Sequence, residues 1–144
     1  HTSLRRVFAA LEGRQIGFDF LLLGVEAYPL EHEEFEAVNQ TPRWISGAEL
    51  TRMVETEDFQ WVWGALLAYP AGCGRAEVLA QARALCPPGP HDEESWSARR
   101  QFEQTGAAFL ILAADSSLTE LVSADRGMIG LFCAHEPQAA VTKE

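Results

Sequence analysis

The chain has 144 residues, 47% of them apolar, and a formal net charge of −10 at pH 7. This length suits one domain, residues 1–144, with a core of its own, and this apolar fraction excludes a disordered chain. Because nucleic acids and anionic membranes attract clusters of Lys and Arg, the acidic balance argues against both as partners and leaves a basic protein as the favoured one.

The three cysteines, Cys73, Cys86 and Cys133, include no CxxC pair. An odd number without metal-ligand spacing favours reduced, buried thiols over a disulfide framework, although a Cys73–Cys86 bridge stays open. The N-terminal stretch lacks the apolar core of a signal peptide, and no apolar run reaches the roughly 18 residues of a membrane helix. We therefore expect a cytoplasmic protein without a membrane span.

The chain opens with the pattern of a helix and then that of a strand. Apolar residues recur at helical spacing in residues 3–13 and predict the first helix. Residues 17–28 are apolar at nearly every position, which is typical of a central strand covered on both faces. Strict alternation places Val25 on the same face as Leu23, and Gly24 is a candidate bulge.

The stretch between Gln15 and Pro42 has the sharpest charge asymmetry of the chain, with six acidic residues and no Lys or Arg. Four of the six follow Pro29: Glu31, Glu33, Glu34 and Glu36. Phe35 and Val38 are spaced to hold a short helical turn against the core. We expect that turn to end before the proline, because the residue before a proline is pushed out of the helical region.

A capping box gives the clearest local signal. In Ser46-Gly47-Ala48-Glu49, the serine hydroxyl can accept from the glutamate amide and the glutamate carboxylate can accept from the serine amide. Ile45 and Leu50 have the spacing of a hydrophobic staple across this cap. Together these features predict a helix over residues 47 to about 55.

The second half of the chain alternates strands and helices. Residues 59–69 predict a core strand, on which alternation places Trp61 and Tyr69 on one face. Helices are predicted over residues 75–86 and about 95–104, and a proline-rich stretch separates them. Two short apolar runs joined by Asp115-Ser116-Ser117 then predict a buried hairpin, and the last helix follows it. These elements give a single α+β domain: a mixed or mostly antiparallel sheet of about four to five strands with helices packed on it.

Few residues belong to a recognisable chemical motif. The sequence HEEFE (residues 32–36) has ligand-type side chains but lacks the HExxH spacing, and its histidine can meet His91 or His135 only through the fold. Asp115 and Asp125 bracket the second strand of the hairpin, where a turn residue explains Asp115 more simply than a catalytic pair does. We therefore expect a non-enzymatic protein with no metal and no cofactor.

An enzyme or a small-ligand-binding domain is the alternative interpretation. Trp61, Trp63 and Tyr69 would line its aromatic pocket, and Cys73, between two glycines, would be a reactive thiol beside a histidine. A third interpretation is a nucleic-acid mimic that blocks a DNA-binding protein with its carboxylates.

A strand ending in Ala68-Tyr69-Pro70, the hairpin LILAADSS (residues 110–117) and the helix after it resemble small uncharacterised bacterial α+β domains. Some acidic immunity proteins, which neutralise a toxin, have this size and pattern. The resemblance implies an interaction module and carries no catalytic residue to this chain.

The first interpretation is therefore a small acidic binding protein of the immunity or antitoxin kind, which neutralises a basic partner protein such as a toxin. We expect its binding carboxylates to be exposed, because unpaired charges are costly to bury. The predicted binding residues are Glu31, Glu33, Glu34 and Glu36, with Asp92, Glu93 and Glu94 as a second patch.

Overall fold

The predicted strands pair into one antiparallel sheet in the computed structural model, which describes residues 3–82 and 98–142. Its strands are β1 (Phe18–Tyr28), β2 (Arg43–Ser46), β3 (Gln60–Pro70), β4 (Phe109–Ala114) and β5 (Leu118–Ser123). They lie in the order β2-β1-β3-β4-β5, so the two longest strands, β1 and β3, are adjacent. The α+β class is confirmed, and the sheet is antiparallel throughout the described residues.

Helices pack on both faces of this sheet. In the described part of the chain they are α1 (Leu4–Ala10), α2 (Gly47–Thr56), α3 (Arg75–Ala82), α4 (Ala98–Thr105) and α5 (Arg126–His135), with 3₁₀ helices at Arg14–Gly17 and Glu33–Asn39. Phe20 and Phe109 belong to the core beneath α1, α2 and α5. On the opposite face, Leu67 is buried with Val78 of α3 and packs near Phe102 of α4. The expectation that β1 is covered on both faces is confirmed.

Irregularities in β1 and β3 overturn two predictions about which face a side chain occupies. Gly24 has a φ of 56° and lies where the register shifts between Leu23 and Glu26, as the bulge prediction requires. The bulge moves Val25 to the α1 face, opposite Leu23. The register shifts a second time between Glu26 and Ala27, where β3 has one extra residue before Trp63. Trp61 therefore lies on the α1 face of the sheet, whereas Tyr69 lies on the opposite face. Strict alternation failed because each extra residue reverses the side-chain parity.

The capped helix forms at the predicted place. The Ser46 hydroxyl accepts a hydrogen bond from the Glu49 amide at 3.1 Å, and the staple residues Ile45 and Leu50 are both buried. At Gly47 a Cβ atom would lie 2.0 Å from the carbonyl oxygen of Gln15. Only glycine therefore allows α2 to begin this close to the first 3₁₀ helix.

The hairpin of β4 and β5 also forms, but it is buried only along β4, because every residue of β5 is half-buried or exposed. Asp115 and Ser116 have φ values of 49° and 57°, and the Ser117 amide donates to the Ala114 carbonyl at 3.3 Å. Two consecutive left-handed residues are typical of a type I′ turn, whose twist matches that of the strands. Asp125 accepts hydrogen bonds from the first amides of α5. Both aspartates thus have structural roles, at opposite ends of β5.

The strand β2 was missing from the predicted elements. It has four residues, of which Ile45 alone is buried, so it is too short to show an alternating pattern. The predicted helices over residues 75–86 and about 95–104 correspond to α3 and α4. Residues 83–97, which include Cys86, His91, Trp96 and the Asp92–Glu94 patch, lie outside the described residues.

Candidate functional site

The acidic segment, residues 30–39, lies along the outer edge of β1. Strand β2 pairs with β1 only as far as Leu22. Further along, the Asn39 side chain accepts from the Ala27 amide at 2.8 Å and donates to the Ala27 carbonyl at 2.9 Å. The side-chain amide of Asn39 therefore makes the hydrogen bonds that a neighbouring strand would make. These bonds fix the end of the acidic segment to the sheet.

Glu57, directly after α2, holds the beginning of the segment. Its carboxylate accepts hydrogen bonds from the amides of Leu30, Glu31 and His32, the last at 3.1 Å. Burial raises the pKa of Glu57, but these donors and the nearby His32 ring outweigh it, so the pKa lies below the ordinary value of 4.5 for this carboxyl group. Glu57 is therefore a charged anchor for a loop whose amides would otherwise lack partners.

The inner side of the segment packs on the core. Phe35 and Val38 are buried, as the predicted helical turn requires, and the Phe35 ring lies 6.1 Å from the Phe59 ring between centroids. Arg43 donates to the Ala37 carbonyl at 3.1 Å. The backbone of the acidic segment is thus fixed at both ends and along its inner side.

The outer side of the segment carries the predicted binding residues. Glu31, Glu33, Glu34 and Glu36 are all exposed. Glu34 pairs with the His32 ring at 3.3 Å, and none of the described Lys or Arg side chains forms an ion pair with any of the four. The segment therefore presents several carboxylates to solvent without a Lys or Arg partner in the described part of the chain.

A groove of about 630 Å³ opens at the beginning of the segment, between the end of β1 and residues 56–60. Two apolar side chains border it in unusually exposed positions: Leu30 is 88% exposed and Tyr28 is 52% exposed. Glu31 belongs both to this groove and to the row of exposed carboxylates. The groove and the acidic surface are therefore continuous.

The aromatic pocket of the alternative interpretation does not form. Trp61, Trp63 and Tyr69 are all buried, and Trp61 lies on the opposite face of the sheet from Tyr69. Instead, the Trp61 ring stacks on Phe59 at 5.3 Å and Tyr69 stacks on Trp44 at 5.8 Å. These aromatic residues are core residues.

The other reactive candidates are the thiols and His135. Cys73 is a free, exposed thiol in the loop after β3, which corrects the expectation that it is buried. Cys133 is half-buried on α5. His135 pairs with Glu12 at 3.3 Å, and no group of three or more metal-ligating side chains occurs among the residues that the structure describes.

Glu57 and Asn39 are the residues of the candidate site that sequence reasoning missed. Glu57 contacts amides 25 to 27 positions earlier in the chain, and Asn39 contacts Ala27, 12 positions away. A lone glutamate after a helix and a lone asparagine in a turn have no local pattern that could reveal such contacts.

No protein-family model matches this chain, and neither a curated protein nor a solved structure matches it. The resemblance to immunity proteins therefore stays a prediction. None of the helices within residues 3–82 and 98–142 is long and apolar enough to cross a membrane.

Proposed function

We propose that this protein binds a basic partner protein on its acidic segment and neutralises it, in the manner of an immunity protein or antitoxin. One observation carries the proposal: Glu31, Glu33, Glu34 and Glu36 are exposed without a described Lys or Arg partner, on a backbone that is tied at both ends. The supporting context is the net charge of −10.

The fixed backbone favours binding because it reduces the entropy lost on association. A loop that is already held by Glu57 and Asn39 does not have to be ordered when the partner arrives. Its exposed carboxylates attract a basic surface over a distance of about one Debye length, roughly 10 Å at 0.1 M salt. The expected result is rapid, salt-dependent association with a Lys- or Arg-rich surface.

Neutralisation follows if the covered surface is the one that the partner uses. A protein that acts on nucleic acid needs a patch of Lys and Arg side chains for the phosphates. An acidic protein that binds this patch blocks it by direct competition. The partner class proposed is therefore a basic, toxin-like protein.

Affinity capture from cells that contain this protein tests the proposal. The wild type and the double variant Glu33→Lys/Glu34→Lys are immobilised in parallel. The matched control is Glu49→Lys/Glu77→Lys, which makes the same change in net charge at exposed positions on α2 and α3. We expect a basic protein to be captured by the wild type and the control but much less by the segment variant.

The captured protein is then purified and expressed alone and together with this chain. The proposal predicts that it impairs growth or a nucleic-acid reaction when expressed alone and that co-expression relieves the effect. A partner without a basic surface, or a partner that both double variants bind equally well, would contradict the proposal.

A further inference from the structure

The groove beside Leu30 combines an apolar border with a negatively charged lining. Its charged lining residues are Glu31, Glu57 and Asp58 against the single guanidinium of Arg5. Arg5 is already engaged, because it donates to the carbonyls of Val54 at 3.0 Å and Glu55 at 2.9 Å at the end of α2. Carboxylates therefore outnumber cations in this groove, and the cation present is directed at the helix terminus.

Asp58 has acceptor capacity left for a ligand. Within residues 3–82 and 98–142, both of its oxygens contact a single donor, the hydroxyl of Ser3, at 2.9 and 2.8 Å. An ionised carboxylate offers about four lone-pair sites, so one hydroxyl leaves most of them open. Glu57, by contrast, is occupied by the three amides of the acidic segment. Asp58, together with the exposed Glu31, is thus a carboxylate of the groove that can accept from a partner.

The apolar border suits the stem and the face of a long cationic side chain. Leu30 and the Tyr28 ring are exposed, and Phe59 is buried behind them. The Tyr28 hydroxyl donates to Glu26, which fixes the ring beside the groove. Cationic side chains pack their methylene groups on such surfaces, and a guanidinium also stacks on an aromatic face.

We propose that this groove receives an arginine side chain of the basic partner, with its guanidinium on Asp58 and stacked against Tyr28. This inference rests on the proposed function and specifies the chemistry of one contact. Arginine fits better than lysine because its planar fork can meet both oxygens of a carboxylate and lie flat on a ring, whereas an ammonium is a point charge. The charge complementarity continues from the groove onto Glu31 and the acidic segment.

A titration followed by amide chemical shifts tests the groove without the partner. The probe is N-acetyl-arginine amide, with the corresponding lysine and norleucine amides as comparisons. We expect saturable shifts at the amides of Leu30, Glu31 and His32, with tighter binding of the arginine probe than of the lysine probe and no saturation with norleucine. A missing response, or equal responses to all three probes, would overturn the inference.

Matched variants distinguish binding in the groove from nonspecific attraction to an acidic surface. Asp58→Asn should weaken the arginine probe by about two- to fivefold, as expected for one exposed ion pair, and Glu31→Gln should also weaken it. Glu33→Gln removes the same charge outside the groove and should leave the affinity unchanged. Asp58→Asn also changes the contact with the Ser3 hydroxyl. Glu31→Gln is therefore included as a second variant that removes a charge from the groove without touching that contact. Equal losses in Glu31→Gln and Glu33→Gln would contradict the groove.

The two proposals fail in different ways. If arginine does not bind saturably but Glu33→Lys/Glu34→Lys still weakens partner binding, the arginine site is contradicted and the acidic docking surface is supported. Arginine binding in the groove, together with a partner that ignores the charge reversals, would retain the groove and contradict the proposed function.

Discussion

The β4–β5 hairpin and the acidic segment are ordered by different forces. The hairpin is stabilised by residues within it or directly after it. They are the buried side chains of β4, the left-handed turn at Asp115 and Ser116, and the cap at Asp125. The acidic segment is held by residues outside it or at its end, chiefly Glu57 and Asn39. Apolar burial therefore builds the scaffold, and polar contacts over longer sequence distances shape the surface that we propose as functional.

This difference has a consequence for stability. Removing part of the hairpin core should weaken the whole domain, because that core is shared with both central strands. Removing an anchor of the acidic segment should release that segment while the sheet stays intact, because local openings cost less than global unfolding.

Leu110→Ala should cause the largest loss. Leu110 is completely buried in β4, and truncating a buried leucine costs about 2–5 kcal/mol through lost burial and the cavity left behind. In chemical denaturation, the unfolding midpoint should be lower than that of the wild type. Different spectroscopic probes should report the same midpoint. A loss confined to residues near Leu110, with the global midpoint unchanged, would show that the hairpin is not part of one cooperative core.

Ser46→Ala should cause an intermediate loss of about 0.5–2 kcal/mol, because the Glu49 amide loses its acceptor at the start of α2. The measurement is again the unfolding midpoint. Ser46→Thr is the control, since a threonine hydroxyl can accept the same hydrogen bond. Equal midpoints for wild type and alanine variant would mean that the cap contributes nothing to α2.

Glu57→Gln should release the start of the acidic segment while leaving the sheet closed. Because the pKa of Glu57 is lowered in the fold, its carboxylate stabilises the fold fully above the ordinary pKa of 4.5. It loses this effect as pH falls through the lower pKa of the folded state. Amide exchange at Leu30–His32 should therefore be faster in the variant at neutral pH, and the difference should disappear in acid. Unchanged exchange at neutral pH would refute the anchor, and faster exchange throughout β3 would refute its local character.

Glu33→Lys/Glu34→Lys should have the smallest effect on stability. Both side chains are exposed, and such surface substitutions usually change the free energy of unfolding by no more than about 0.5 kcal/mol. The melting temperature should thus stay close to that of the wild type. A large decrease would indicate that these carboxylates support the fold, so that a binding defect of this variant would no longer identify a docking surface.

The sequence predicted features whose cause is local. The cap at Ser46 and the turn at Asp115 depend on neighbouring residues, and both formed as expected. The predicted sheet faces of Val25 and Trp61 were wrong, because one extra residue in a bulged strand moves every side chain beyond it to the opposite face. The exposure of the acidic residues was also predictable from their charge.

The anchors of the candidate site were not predictable in the same way. Nothing in the sequence around Glu57 distinguishes it from the solvated glutamates nearby, and its role appears only when β1 and α2 bring the amides of Leu30 and His32 to its carboxylate. Asn39 likewise needs the exposed edge of β1 at Ala27. Residue type predicted that these carboxylates are exposed, whereas only the fold shows how the segment that carries them is held.

The association rate of the purified basic partner, measured from low to physiological salt, tests the central claim most directly. If the acidic segment steers the partner, the wild-type rate should fall by about tenfold or more over this range. Glu33→Lys/Glu34→Lys should associate slowly at all salt concentrations, and Glu49→Lys/Glu77→Lys should follow the wild type closely. A rate that is independent of salt and the same for all three proteins would contradict the acidic segment as the docking surface.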